Sequence, residues 1–242
     1  MDKVSEIAKM IDHSLLHPAL TDAELQEGCE IARRYHVASV CVKPYHVNQA
    51  RKLLAGTDVL VGAVIAFPHG NSTINIKVAE TEQVILDGAL EVDMVVNIGK
   101  VLSGDWEYVE KEIAAVLRAT AKSHAALKVI FENDLLPDDS YKIKLCEICS
   151  RLRVAFVKTS TGYNYVKDEY GNYSYRGATD HDLKLMRQHS APEVQVKAAG
   201  SVGNLSAILR VRELGVTRVG TKGTEAILED ARRKFADGLG RS

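Results

Sequence analysis

The chain has 242 residues, with 31 basic and 32 acidic side chains and a formal net charge of −1 at pH 7. This balance argues against nucleic acid or an anionic membrane as a partner, because both bind strongly basic surfaces. The longest apolar run covers residues 59–67, which is far short of the roughly 20 residues that a membrane-spanning helix needs.

Short apolar runs rich in β-branched residues recur along the chain. Such near-continuous runs are typical of parallel strands that are covered on both faces. They predict eight strands, at residues 11–16, 38–43, 59–67, 91–96, 126–131, 154–158, 194–197 and 216–220.

Amphipathic stretches lie between the predicted strands. The first is expected to begin at Thr21, with Glu24 at the capping-box position. The predicted helices cover residues 21–35, 74–87, 106–124, 140–152, 181–188, 205–214 and 224–239.

The alternation of strand and helix predicts parallel βαβ units throughout the chain. We expect one α/β domain over residues 1–242, a single (β/α)8 TIM barrel, since that fold takes about 250 residues. The alternative is an open doubly wound sheet. The absence of a Gly-x-Gly-x-x-Gly turn after any predicted strand weakens that alternative.

One segment, residues 163–177, does not fit this alternation. It contains five of the nine tyrosines, and polar and aromatic residues alternate around Gly171-Asn172. This pattern predicts a β-hairpin. The hairpin would follow the sixth strand, on the barrel face where active sites lie.

The chain has four cysteines, two of which form the C-x-x-C of Cys146 and Cys149. Apolar residues at helical spacing surround this pair, and no second C-x-x-C completes a zinc site. We therefore expect buried helical thiols. Free thiols and a charged N-terminus unlike a signal peptide favour a cytoplasmic protein.

Three lysines, Lys43, Lys158 and Lys197, end predicted strands, and Asp93 lies within one. Each lysine could simply pass the end of its strand and reach solvent, and Asp93 could form a structural ion pair. However, an ammonium group in a barrel core is costly to bury. A lysine whose pKa is lowered by burial and by a second cation becomes the nucleophile of Schiff-base chemistry.

At these residues the sequence resembles the deoxyribose-phosphate aldolase family. Residues 157–162 (VKTSTG) are similar to the family's Schiff-base segment, residues 91–99 (EVDMVVNIG) to its acid/base strand, and residues 196–200 (VKAAG) to its second-lysine strand. Further family blocks match in order at residues 11–16, 40–44 and 67–70, so the resemblance covers nearly the whole chain.

The resemblance implies a barrel without metal or organic cofactor that reversibly cleaves 2-deoxy-D-ribose 5-phosphate to acetaldehyde and D-glyceraldehyde 3-phosphate. It implies that Lys158 forms the Schiff base, Lys197 lowers the pKa of Lys158, and Asp93 transfers protons. It also implies small-molecule partners only and a homo-oligomer, either a dimer or a tetramer. The expected substrate-binding residues are Asp12, Cys41, Lys43, Thr161, Gly200, Ser201, Lys222 and Gly223.

Four features depart from the family pattern, and two of them concern the expected phosphate loops: the run 200–204 (GSVGN) and Lys222 in place of a serine. The other two are Lys43 and the long hairpin. Glycines and a cation still suit an anionic acceptor. The alternatives are the same chemistry on another acceptor aldehyde, and a non-catalytic barrel that binds sugar phosphates.

Overall fold

The predicted strands form a closed barrel in the computed structural model, which describes residues 2–236. All eight barrel strands are parallel, in the order β1-β10-β9-β6-β5-β4-β3-β2. The alternative prediction of an open doubly wound sheet is therefore wrong. The strands are β1 (Ile11–Leu15), β2 (Ser39–Val42), β3 (Leu60–Ile65), β4 (Glu91–Val95), β5 (Ala126–Ile130), β6 (Phe156–Lys158), β7 (Val166–Lys167), β8 (Tyr173–Ser174), β9 (Gln195–Ala199) and β10 (Val216–Thr221).

Strands β7 and β8 pair antiparallel outside the barrel. They are the two arms of the predicted tyrosine-rich hairpin, which is thereby confirmed. The hairpin follows β6, as expected.

The helices cover the outside of the barrel. The expected capping box of Thr21 and Glu24 starts the second helix. The last helix was expected to reach Leu239, and that predicted end lies outside the described residues. The helices are α1 (Lys3–Ala8), α2 (Asp22–Arg34), α3 (Val47–Leu53), α4 (Ile74–Asp87), α5 (Ile98–Leu102), α6 (Trp106–Ala121), α7 (Asp139–Leu152), α8 (Asp180–His189), α9 (Leu205–Glu213) and α10 (Thr224–Ala236).

The cysteine prediction is confirmed: Cys146 and Cys149 lie on α7 and are fully buried as free thiols. Burial raises the pKa of the Cys146 thiol to about 12. A thiol with so high a pKa is unreactive at neutral pH. Within residues 2–236, no helix is long and apolar enough to cross a membrane.

A buried ion pair between the helices fixes the end of β4. Lys77 on α4 and Glu112 on α6 are fully buried, with Nζ and Oε1 2.6 Å apart. Lys77 donates to the Val95 carbonyl, and Glu112 accepts from the Asn97 amide at 2.9 Å. The pair therefore holds the main chain just beyond Asp93.

The strand register gathers the predicted catalytic side chains inside the barrel. Lys158 on β6 lies directly opposite Lys197 on β9. In the same way, Asp93 on β4 lies opposite Lys128 on β5. Because register partners in a sheet project from the same face, these four side chains share the barrel interior.

Candidate active site

Two lysines share one carboxylate in the centre of the barrel. Lys158 Nζ and Lys197 Nζ each lie 2.7 Å from Asp93 Oδ2. All three residues are at most 2% exposed. The expectation that Asp93 faces inward and meets both lysines is confirmed.

A second layer of charges lies beneath this trio, and sequence reasoning missed most of it. Lys128 Nζ lies 2.7 Å from Asp12 and 2.6 Å from Glu91. Arg218 also contacts both carboxylates, at 2.5 Å and 3.0 Å. Lys128 sits within an apolar strand, as Asp93 does, and that signal could have identified it.

The buried charges balance only if one basic group is neutral. The cluster contains three carboxylates and four basic side chains, which are Asp12, Glu91, Asp93, Lys128, Lys158, Lys197 and Arg218. An uncompensated buried charge is costly, and the usual response is a pKa shift that removes it. The cluster therefore favours loss of one proton.

Of the four basic groups, only Lys158 has a lowered pKa, whereas the pKa values of Lys128, Lys197 and Arg218 are raised. Burial lowers the pKa of Lys158, and the charge of Lys197 lowers it further against the attraction of Asp93. Burial would also lower the pKa of Lys197, but Asp12 and Asp93 outweigh burial and raise it. For Asp93, the three lysines outweigh burial and hold the carboxyl pKa well below its usual range. The arrangement therefore favours loss of a proton from Lys158, next to Lys197 and the Asp93 carboxylate.

Asp12, one of the expected substrate-binding residues, belongs to this charge cluster. Its Oδ2 accepts from Lys197 at 2.5 Å and from Lys128 at 2.7 Å, while Oδ1 accepts from Ser39. Asp12 therefore fixes the charge of Lys197 rather than lying open to a ligand.

Cys41 lines an apolar wall beside the lysines. Its Sγ lies 4.0 Å from Asp93 Oδ2, and it packs with Leu16 and Val64 under Phe67 and Tyr163. Burial raises the pKa of the Cys41 thiol to about 11. The neutral thiol therefore contributes to a surface suited to a small alkyl group.

Three expected substrate-binding residues lie on the loops that follow the lysine strands. The Thr161 amide, after β6, donates to the buried carboxylate of Glu132 at 3.1 Å. Gly200 and Ser201, after β9, both have left-handed backbone, with φ of +80° and +61°. Neighbouring strands bring these two loops together at the C-terminal end of the barrel.

The remaining expected residues lie away from the buried cluster. Lys43 Nζ donates to the main-chain carbonyls of His17 and Pro18, at 2.7 and 3.2 Å, which ties it to the loop after β1. Lys222 is exposed, and Gly223 immediately precedes α10. The structure therefore brings Lys222 and Gly223 to a helix N-terminus, where anions bind well.

Residues 6–218 match the family described as DeoC/LacD family aldolase. The chain belongs to this family. It is 50% identical over 230 residues to the deoxyribose-phosphate aldolase of Rhodopirellula baltica, covering 95% of this chain and 91% of that protein. The chain is therefore an aldolase, a carbon–carbon lyase.

Solved structures agree with this family assignment. QR15, an aldolase, superposes with a TM-score of 0.86 at 30% identity, covering 96% of this chain and 98% of its own. The tetrameric deoxyribose phosphate aldolase of Aeropyrum pernix has a TM-score of 0.84 at 24% identity, covering 96% and 93%. At 24% identity, the similarity to the Aeropyrum pernix structure is evidence for the fold alone.

The hairpin is anchored to the active-site end of this aldolase barrel. At its base, Asn164 Nδ2 donates to Glu132 at 2.7 Å and to the Pro68 carbonyl at 2.9 Å. On the return arm, the amides of Arg176 and Gly177 donate to Asp134. The first arm is thus fixed to the loops after β3 and β5, and the return arm to the loop after β5.

One group of metal-compatible side chains occurs within residues 2–236, away from the barrel interior. Asp139, His181 and Asp182 have ligand atoms within 4.8 Å of one another. Lys142 Nζ already lies 3.2 Å from Asp139 and 2.6 Å from Asp182. A lysine in that position pairs with both carboxylates and accounts for the cluster as a structural ion-pair group.

Proposed function

We propose that this aldolase works through a Schiff base on Lys158, with Lys197 and Asp93 managing charge and protons. One observation carries the proposal: two buried lysines share Asp93 Oδ2, and only the pKa of Lys158 is lowered. A neutral amine is the nucleophile that imine formation requires. Lys197 stays cationic and disfavours a second positive charge beside it.

In the cleavage direction, Lys158 Nζ adds to the substrate carbonyl carbon, and loss of water forms a protonated imine. A carboxylate, Asp93, takes the proton of the hydroxyl two carbons away, directly or through water. The carbon–carbon bond then breaks, its electron pair moves toward the imine, and the acceptor aldehyde leaves. The resulting enamine takes a proton at carbon, and hydrolysis of the imine frees the donor aldehyde and Lys158.

We propose 2-deoxy-D-ribose 5-phosphate as the substrate, with acetaldehyde and D-glyceraldehyde 3-phosphate as products. The names of the relatives support this choice. The apolar wall at Cys41 suits the methyl group of acetaldehyde. Gly200 and Gly223 allow a phosphate to approach the main chain at the ends of β9 and β10, and the exposed Lys222 supplies a cation for it.

A comparison of phosphorylated and unphosphorylated 2-deoxyribose tests this substrate. We expect a clear preference in kcat/KM for the phosphorylated sugar. Lys222→Ala should reduce that preference roughly tenfold, the effect of one charged hydrogen bond, while Lys184→Ala, an exposed lysine on α8, should leave it unchanged. Equal rates on the two sugars in the unmodified enzyme would refute the phosphate site.

We also propose a cytoplasmic homo-oligomer with no metal or organic cofactor. The free buried thiols support a reducing compartment, and the resemblance to the family is the ground for the homo-oligomer. Light scattering on the purified protein measures the mass directly. A mass of one chain at micromolar concentration would contradict the oligomer.

A further inference from the structure

The hairpin brings one phenol between the loops that carry the two lysines. A Cβ atom built on Gly200 would lie 1.9 Å from Tyr175 Oη, and one built on Gly162 would lie 3.7 Å from it. Gly162 follows Lys158 by four residues, and Gly200 follows Lys197 by three. The Tyr175 hydroxyl therefore lies between the loops after β6 and β9.

The main chain around Tyr175 is fixed against the loop after β9. The Ser201 hydroxyl donates to the Arg176 carbonyl at 2.8 Å, and the Ala178 amide donates to the Gly200 carbonyl at 3.3 Å. A Cβ on Gly177 would lie only 2.9 Å from the Gly200 carbonyl carbon. The three residues that follow Tyr175 thus hold it against the loop after β9.

The Tyr175 hydroxyl is buried, and among residues 2–236 it has no well-aligned hydrogen bond. The Ser160 hydroxyl, two residues after Lys158, is also buried and without a well-aligned bond. It lies close enough to the Tyr175 phenol to be its hydrogen-bond partner. Even when they pair with each other, the two hydroxyls keep one donor and several acceptor positions unused, which a polar ligand can satisfy.

Nearby charges determine which kind of ligand fits. The carboxylates of Glu132 and Asp134 lie close enough to Tyr175 to add to the effect of burial in raising its pKa. The phenol is therefore a proton donor at neutral pH. Asp134 is paired with Arg176 at 3.3 Å, but Glu132 accepts from the uncharged Thr161 amide and Asn164 side chain. The charge of Glu132 therefore repels an anion but not an uncharged hydroxyl group. The ligand that fits here is a hydroxyl of the substrate, and not its phosphate.

We propose that Tyr175 is a specificity-determining residue whose hydroxyl, with that of Ser160, binds the hydroxyl on the carbon next to the acceptor aldehyde. This inference rests on the proposed Schiff-base function, since it assigns the acceptor side of the same site. Tyr175 would select hydroxyaldehyde acceptors over plain aldehydes of the same size.

The test uses addition of acetaldehyde to two acceptors of nearly equal size, glycolaldehyde and propanal, which differ by a hydroxyl in place of a methyl group. In Tyr175→Phe we expect kcat/KM for glycolaldehyde to fall roughly tenfold and that for propanal to stay within about twofold. Tyr173→Phe is the matched control, because Tyr173 lies on the same hairpin and is 67% exposed. Thermal melting of both variants checks the fold.

Equal losses on the two acceptors would show that Tyr175 only holds the loops together, and would overturn the proposal, as would no loss on either. A second pair, D-glyceraldehyde with and without its 3-phosphate, should be affected equally. A loss confined to the phosphorylated member would reassign the phenol to the phosphate. Borohydride trapping of acetaldehyde on Lys158 is measured in parallel. If the unmodified enzyme gives no adduct, the Schiff-base function and this inference fail together; an adduct without the acceptor effect refutes this inference alone.

Discussion

Replacing Lys197 with leucine removes one positive charge beside Lys158 and keeps an apolar side chain in a fully buried position. The Nζ atoms of Lys158 and Lys197 each lie 2.7 Å from Asp93 Oδ2, so they are at most twice that distance apart. Asp12 loses one partner but keeps Lys128 and Arg218. The variant therefore isolates the influence of one charge on Lys158.

At about 5 Å and an effective dielectric constant near 20, the repulsion between two unit charges is about 3 kcal/mol. This energy corresponds to about two pKa units. Loss of Lys197 also leaves Asp93 less compensated, and a carboxylate nearby raises the pKa of an amine. Both effects raise the pKa of Lys158. We expect the pKa of Lys158 to rise by about two units in Lys197→Leu.

The assay is the rate of borohydride trapping with acetaldehyde as a function of pH. Trapping needs the neutral amine, so the rate increases as pH rises through the pKa of Lys158. In Lys197→Leu the midpoint should move about two units toward alkaline pH, and at any pH below both midpoints the rate should fall roughly a hundredfold. Lys184→Leu, on the exposed face of α8, is the control and should leave the midpoint unchanged. An unchanged midpoint in Lys197→Leu would refute the charge argument.

Three further predictions concern the buried charges. In Asp93→Asn, loss of the carboxylate lowers the pKa of Lys158, so the trapping midpoint should move toward acid while kcat falls about 10²- to 10⁴-fold. In Lys128→Met, the carboxylates beneath the site lose a shared cation, and urea unfolding should show a destabilisation of about 3–5 kcal/mol. Lys77→Met should lower the free energy of unfolding by a similar amount, because it leaves Glu112 unpaired. The double variant with Glu112→Leu should recover most of that stability.

Each of these predictions has an outcome that contradicts it. A midpoint that moves toward alkaline pH in Asp93→Asn would mean that Asp93 does not raise the pKa of Lys158. Unfolding of Lys128→Met at the unmodified urea concentration would show that the lower carboxylates do not need that cation. If the double variant at Lys77 and Glu112 is no more stable than the single one, the buried pair is not the source of the loss.

The barrel could be predicted because its strands are buried on both faces and its long helices have several turns of apolar periodicity. Helices α1, α3 and α5 were not predicted, and each has fewer than eight residues. A helix this short shows too little periodicity to be distinguished from a loop. The capping residues Thr21 and Glu24 were read correctly because their hydrogen bonds are local in sequence.

The three lysines at the predicted strand ends show how far a side chain's direction can be predicted from sequence. Lys158 is the last residue of β6, and Lys197 lies in the middle of β9, so both side chains stay inside the barrel. Lys43 lies one residue beyond β2, and its side chain turns to the loop after β1. One residue of difference in strand length decides the direction of the side chain, and sequence patterns do not fix strand ends that closely.

The lower charge layer and Tyr175 depend on contacts between distant parts of the chain. Arg218 meets Asp12 and Glu91 only because β10 closes the barrel against β1. The sequence predicts the hairpin but not the position of the Tyr175 hydroxyl between two glycines. Contacts of this kind depend on the strand register of the closed barrel. Local sequence propensity does not determine that register.

The most direct test of the central claim is to locate the covalent intermediate. The enzyme is incubated with acetaldehyde, reduced with borohydride, digested, and the modified peptide is identified by mass. We predict one two-carbon adduct on Lys158, absent in Lys158→Met and absent without acetaldehyde. An adduct on Lys197 instead, or full aldolase activity in Lys158→Met, would contradict the assignment of the nucleophile.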